Sequence, residues 1–214
     1  PLIVNDASKF RDRKKIAFQY PMDETGAVQD WNCLESLVRY ALGEIGVNEC
    51  SKHKILITKP YIMKRADLKR LFDLFFIKFG FRAVTMHEQA ALVLYTQGVE
   101  TGIVVELGES LANIVPVYKG HAIPKLDKRM PIGGRSISMY LIKLLRLKGY
   151  HMDAREDLET GRHIKEQSCY VAYEPRTEER LAEETTVLED SVCLQDGTSI
   201  SLGKERFGAA EALF

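Results

Sequence analysis

The stretch Gly102-Ile-Val-Val-Glu-Leu-Gly-Glu-Ser-Leu-Ala-Asn-Ile-Val-Pro-Val-Tyr118 constrains the fold more than any other part of the chain. Two apolar runs of strand length flank a polar, acidic turn, and Lys119-Gly120 turns the chain into a third extended run that reaches Met130. Apolar runs of this length bounded by turn residues read as strands. The segment is therefore strand, tight turn, strand, with further extended chain beside it.

Helical patterns surround this hairpin. Trp31, Leu34, Leu37, Val38, Leu42 and Ile45 follow a three-to-four spacing that predicts a helix stopped at Gly46. Lys54–Thr58 is a short apolar run before Pro60 and predicts a buried strand. Leu68, Leu71, Phe72, Phe75 and Phe79 predict a second helix closed by Gly80, with its phenylalanines in the core rather than stacking on bases. A strand over Arg82 to Thr85 and a helix over Glu88 to Gln97 follow, ended by Gly98. After Gly133-Gly134, Ser136 is expected to cap a helix whose Leu141, Leu144 and Leu145 cover the sheet. Asp153 is expected to cap the next, through Ile164 toward Tyr173, and Asp196-Gly197 marks a closing hairpin. The first thirty residues are irregular, with turn signals at Tyr20-Pro21 and Thr25-Gly26. Strands and helices alternate, so the class is α/β with hairpins attached.

Composition narrows the function classes. With 30 Lys+Arg against 30 Asp+Glu the formal net charge is zero, and a nucleic-acid binder usually shows a basic excess. The run Arg11-Asp12-Arg13-Lys14-Lys15 is short and interrupted, and reads as a solvated face or loop. Hydrophobic residues at 45% suffice for a core in a chain of 214 residues. Cys33, Cys50, Cys169 and Cys193 are far apart, with no CxxC pair, and read as free thiols in a reducing compartment. No apolar run has the roughly 18 residues that a membrane span needs. The chain begins with Pro1 and has no signal-peptide pattern, which leads us to expect a trimmed cytosolic sequence. His87 and His163 have no partner at catalytic or metal-ligand spacing and read as structural or exposed.

The order strand, acidic turn, strand, glycine pair, helix resembles the actin, Hsp70 and sugar-kinase superfamily, which has a ribonuclease H-like fold. Specific strings resemble the actin family within it. These are Tyr20-Pro21 with Trp31, Gln89-Ala-Ala-Leu-Val-Leu-Tyr95, Gly134-Arg135, Ile164-Lys-Glu-Gln-Ser-Cys-Tyr-Val171, and Glu205-Arg-Phe207 with Glu211-Ala-Leu-Phe214. Tyr140–Tyr150 and Glu184–Leu188 are similar to the branch of the family whose members are subunits of the branched-actin nucleating complex. The resemblance implies an actin-like α/β fold, incomplete at both ends. Residues 1–85 would be part of the small domain (subdomains 1 and 2) and 86–214 part of the large one (subdomains 3 and 4). It also implies that one phosphate hairpin lies upstream, and a second glycine motif and part of the adenine pocket downstream.

The resemblance further implies ATP and Mg2+ as ligands. Glu106-Leu-Gly-Glu-Ser110 stands where the family has Asp-Ser-Gly-Asp-Gly, a phosphate hairpin that works by pointing backbone N–H groups into one concavity. Gly108, Glu109, Ser110 and Leu111 would then border the phosphates and ribose, with Glu106 acting on the metal through water. Both aspartates are glutamates here, one methylene longer, which displaces a shell built for near-octahedral magnesium by about an ångström. Gln89 matches the glutamine that positions the attacking water and touches the metal's water shell. Asn113 replaces a histidine and cannot change protonation near neutral pH. Gly134 would line the cleft, although Ser136 replaces the aspartate expected after it. Arg162, Lys165 and Glu166 match positions that flank adenosine, and their spacing puts them on one helical face, so all three are expected to reach one ligand.

The implied function is an ATP-binding structural subunit of an actin-nucleating complex, at most a slow ATPase, cytoplasmic and cytoskeletal. Its partners would be the other subunits and an actin filament, with no direct nucleic acid and no membrane. The altered residues Glu106, Ser110 and Asn113 leave open a scaffold role in another assembly, such as a chromatin remodeller, dynactin or an axonemal complex. A small-molecule kinase of the same superfamily is the third alternative, although the recognisable strings are those of actins.

Overall fold

The computed structural model describes residues 19–23, 26–60, 63–153, 157–194 and 197–214. The basic run at 11–15, Thr25 and Asp196 lie outside them. The described chain forms two compact units. One holds the chain up to Leu107 together with Leu111–Pro131, and the other holds Gly108–Ser110 with Ile132–Phe214.

In the first unit, α1 (Trp31–Glu44) starts at Asp30, whose Oδ1 accepts from the N–H groups of Asn32 and Cys33 at 2.9 and 3.0 Å. It ends before Gly46, which takes the left-handed φ of +76° that stops a helix cheaply. Next, β1 (Lys54–Lys59) pairs in parallel with β2 (Ala83–Glu88), and the crossover contains α2 (Arg65–Asp73) with a π-helical continuation, Leu74–Lys78. Leu34, Leu42, Leu71, Leu74, Phe75 and Phe81 form the core between these helices and the two strands. Of the three phenylalanines expected inside, Phe75 is buried and Phe79 half-buried, but Phe72 is exposed, because it falls on the outer side of α2.

The helix α3 (Gln89–Thr96) then covers the expected hairpin. Here β3 (Gly102–Leu107) and β4 (Ala112–Tyr118) run antiparallel, from Gly102 opposite Val117 to Leu107 opposite Ala112. The far edge of β4 pairs with β5 (His121–Ala122) and β6 (Lys128–Met130). Ala90, Ala91 and Leu94 of α3 close onto Val104, Val115, Val117 and Ala122.

In the second unit, α4 (Gly134–Leu147) packs on α5 (Leu158–Ser168) so closely that a Cβ at Gly161 would lie 2.7 Å from Ile142 Cγ1. Leu141, Leu145 and Ile164 meet the hairpin of β7 (Asp190–Cys193) and β8 (Ser199–Leu202) through Val192, Ile200 and Leu202. A short helix α7 (Glu205–Gly208) places Ala209 in the same core. The leucines of α4 thus find their partners within their own unit, and α3 is the cover of the β3–β4 sheet. Two expected caps are corrected. No side chain caps α4 at Ser136, since α4 starts two residues earlier with Gly133 at its N-cap. Likewise α5 begins after Asp157, not Asp153, and ends at Ser168 short of Tyr173. A further helix, α6 (Pro175–Glu184), was not expected.

Candidate functional site

The β3–β4 register assembles one cluster in the first unit. Residues directly opposite in an antiparallel pair project from the same face. Val104 and Val115 lie under α3, and on the same face further along, Glu106 stands opposite Asn113, which stands opposite Arg129 of β6. Gln89, the first residue of α3, closes the row, and with Pro60, Ala90, Val115, Asp127 and Lys128 these residues line one pocket. Its cavity volume of about 20 Å³ is room for one water molecule.

The polar atoms of this pocket are unequally held. Arg129 Nε donates to Asn113 Oδ1 at 3.3 Å. Arginine has no acceptor, so this bond fixes the amide with its carbonyl toward Arg129. Glu106 Oε1 is buried with no hydrogen-bond partner among the described residues, and burial raises its carboxyl above the usual glutamate value. An orphaned buried carboxylate oxygen beside a one-water cavity fits a water or a metal-bound water, which is the partner the expected role of Glu106 requires. Gln89 is exposed at the pocket's mouth. Three of the expected residues, Gln89, Glu106 and Asn113, are thereby brought together. Arg129 was not foreseen, because no sequence signal fixes the β4–β6 register across residues 119–127.

The second unit holds another cluster, made largely of backbone. The turn Gly108–Ser110 lies against the start of α4, where Gly134 N–H donates to Gly108 O at 3.0 Å and Arg135 N–H to Glu109 O at 2.8 Å. These two carbonyls satisfy helix N-terminal donors that Ser136 was expected to help satisfy. A Cβ on Gly133 would lie 2.5 Å from Glu109 O and 2.6 Å from Gly108 O, so only glycine admits this approach. With its carbonyls engaged by α4, the turn's own N–H groups at 108–110 donate to no described residue. Unengaged turn amides of this kind suit an anion.

Lys165 Nζ donates to Gly134 O at 2.9 Å, and Ser138 Oγ donates to the same oxygen at 3.0 Å. At Gly134 a Cβ would lie 2.8 Å from Glu109 Oε2 and 3.1 Å from Lys165 Nζ, so the missing side chain leaves room for both charged ends. Arg162 and Glu166 instead pair with each other, Nε to Oε1 at 2.9 Å, on the exposed side of α5. That bond raises the Arg162 pKa and lowers that of Glu166. The three residues expected on one ligand-facing side therefore split into Lys165 at the glycine turn and a separate exposed pair. Leu111, half-buried, is assigned to the first unit, and a Cβ on Gly26 would lie 3.6 Å from its Cδ1.

Among the described residues no helix is long and apolar enough to cross a membrane, and no group of three His, Cys, Asp or Glu is placed to hold a metal by itself. The sequence profile described as Actin matches residues 1–214. Actin-related protein 2 of Acanthamoeba castellanii is 41% identical over 216 residues, covering 100% of this chain and 54% of that protein. Actin-related protein 2 of Drosophila melanogaster is 39% identical over 214 residues, covering 100% of this chain and 53% of its own length. That of Caenorhabditis briggsae is 41% identical over 206 residues, covering 94% and 51%. The chain spans about half the length of the curated relatives it matches.

Proposed function

The chain belongs to the actin family, and we propose that the protein works as an actin-related cytoskeletal subunit of an actin-nucleating complex, binding ATP chiefly as a structural ligand. Identity near 40% to proteins named actin-related protein 2, running the length of the chain, supports this assembly over a remodeller, dynactin or axonemal scaffold. Its partners in this reading are the other subunits and an actin filament, in the cytoplasm. Residues 1–85 would contribute to the small domain and 86–214 to the large one.

The observation that carries the nucleotide reading is the pocket of Gln89, Glu106 and Asn113 with its unpartnered Glu106 oxygen. In this reading Gln89 and Asn113 orient the attacking water, and Glu106 holds the water shell of Mg2+. The amides of Gly108, Glu109 and Ser110 face phosphate, with Leu111 completing the turn. Gly134 and Lys165 border the ribose side, and Arg162 with Glu166 flanks the base. Bound magnesium would supply charge neutralisation on the phosphate oxygens.

In this reading the same pocket would make for slow chemistry. Arg129 engages the Asn113 carbonyl and leaves its NH2, a donor, for the water or phosphate. A donor orients water but takes no proton from it. Catalysis of this kind rests on positioning, where about 1 Å costs about 100-fold. In the full-length protein, Glu106→Asp with Asn113→His is expected to raise single-turnover ATP hydrolysis by up to about 100-fold while ATP affinity changes little. A parent that already hydrolyses as fast as an ordinary actin, or a double variant that binds ATP yet gains no rate, would defeat this account. Calorimetry on residues 1–214 alone is expected to show no micromolar ATP binding, since a single hairpin supplies part of the phosphate cradle.

A further inference from the structure

The parallel ladder of the first unit carries an apolar row that ends in a charge pair. Side chains alternate along a strand, so Ile55, Ile57 and Lys59 of β1 share a face, as do Val84, Met86 and Glu88 of β2. The four apolar members pack against the core shared with α1 and α2. The register sets Lys59 opposite Glu88 as the last pair, and Lys59 Nζ lies 3.6 Å from Glu88 Oε1. Their side chains are only 19% and 26% exposed. A half-buried ion pair at a place that suits apolar side chains gives up hydration, and apolar replacements of such pairs are often as stable or more so. Stability is therefore a poor reason for the pair, and its position supplies a better one.

Each partner adjoins a wall of the one-water pocket. Pro60 follows Lys59, Gln89 follows Glu88, and both line the cavity beside Glu106 and Asn113. Strand β2 passes into α3 between Glu88 and Gln89 with no loop residue, and Glu88 is the N-cap of α3. Its side chain makes no capping bond. Instead Glu88 Oε2 accepts from the Ala122 N–H of β5 at 3.3 Å, while Oε1 meets Lys59. One carboxylate thus ties the start of α3 to β1 on one side and to the sheet of β3 to β6 on the other. Gln89 is exposed at the pocket's mouth, so the reach of its amide is set by where this junction holds the backbone.

We infer that Lys59 and Glu88 form a clamp that fixes Gln89 and Pro60 around the pocket, and that both are positioning residues for the hydrolytic water. The chemistry of this inference rests on the nucleotide reading, whereas its geometry can be tested without nucleotide.

The test uses the full-length protein with Glu88→Gln, which keeps an oxygen for the Ala122 N–H, and Lys59→Met, which keeps the stem. Each is expected to lower single-turnover ATP hydrolysis about tenfold while ATP affinity stays within about twofold of the parent, because positioning is lost rather than binding. Lys59→Arg, which keeps the cation, should retain the parent rate. In a Gln89→Ala background neither Glu88→Gln nor Lys59→Met should lower the rate further, a pattern that general loosening of the fold does not give. Without nucleotide, hydrogen exchange at the Leu92 and Val93 amides, which close the first turn of α3 onto residues 88 and 89, should be about tenfold faster in both variants. Unchanged exchange, or an undiminished further loss of rate in the Gln89→Ala background, overturns the clamp. Faster exchange together with a Gln89→Ala variant that hydrolyses ATP at the parent rate overturns the nucleotide reading instead, and with it the clamp's part in hydrolysis, while its hold on α3 stands.

Discussion

In the first unit the candidate residues are side chains standing on a well-made sheet, and little holds their polar ends. Gln89 is exposed, Asn113 is steered by one bond of 3.3 Å, and Glu106 Oε1 has no described partner. In the second unit the candidate residues are backbone, pressed together closely enough that Gly133 and Gly134 cannot be replaced without displacing neighbours. The difference separates two kinds of change. The first cluster can exchange aspartate for glutamate, or histidine for asparagine, with its chemistry altered and its fold kept. The second admits little change because Gly133 lies directly against the backbone carbonyls of residues 108 and 109.

The largest effects should therefore come from the second unit's interior. Leu141→Ala removes a fully buried side chain wedged among α5, β7 and β8, and should cost about 2–5 kcal/mol in a denaturant melt. Leu144 is only half-buried, so the same replacement there should cost clearly less. Equal costs would mean that the core is not centred where the structure places it. Gly133→Ala comes next, since its Cβ would meet two backbone carbonyls that cannot swing aside. We expect a loss of about 1–3 kcal/mol. Asn113→Ala should lie within about 0.5 kcal/mol of the parent, as for a partly exposed polar residue. If the two reverse, the contrast between the clusters is wrong.

Sequence pattern reached the elements whose cause is local. The apolar spacing from Trp31 to Ile45 with Gly46, and the two runs around Glu106–Ser110, carry their own stops and turns, and both formed as expected. What escaped has distant causes. The start of α4 is set by carbonyls of residues 108 and 109, twenty-six positions upstream of the Gly134 and Arg135 amides that donate to them. α6 has no buried residue and hence no apolar period to read, although Pro175 at its first turn is a start signal. Phe72 satisfies the apolar spacing but sits at the edge of the stripe, and only tertiary packing decides that Phe75 goes inside. For the candidate residues, Gln89, Glu106 and Asn113 were visible through resemblance to a family. Their gathering into one pocket follows from strand register, which the sequence does not write down.

The pH dependence sharpens the comparison. Glu205 is buried, which alone would raise its pKa, yet the Gly203 N–H at 2.7 Å and Lys148 at 3.1 Å bring it below the usual 4.5. A carboxylate with a depressed folded pKa stabilises the fold above its unfolded value, and that contribution disappears as pH falls through the folded one. The melting temperature should thus fall as pH drops below about 4.5, and Glu205→Gln should flatten that fall while lowering the value at neutral pH. An unchanged acid limb in the variant would assign the acid sensitivity to other carboxylates.

The smallest stability effect is expected at Arg162 and Glu166, which lie in the second unit as an exposed pair apart from its glycine turn. Their side chains are 47% and 57% exposed, so the ion pair is screened by water and its loss should cost about 0.5 kcal/mol or less. Lys165, one turn of chain away, is tied to Gly134 O and is expected to matter more to the fold. This makes Arg162→Ala a clean probe of the proposed nucleotide role, because a change in ATP affinity cannot then be ascribed to unfolding. In the full-length protein, titration with a fluorescent ATP analogue should show weaker binding by a few-fold at unchanged melting temperature. Glu166→Gln should do less, since it leaves a hydrogen-bonding oxygen beside Arg162. If Arg162→Ala leaves affinity untouched while Lys165→Ala lowers it, the ligand-facing part of α5 is confined to the glycine turn, and the exposed pair is a surface feature alone.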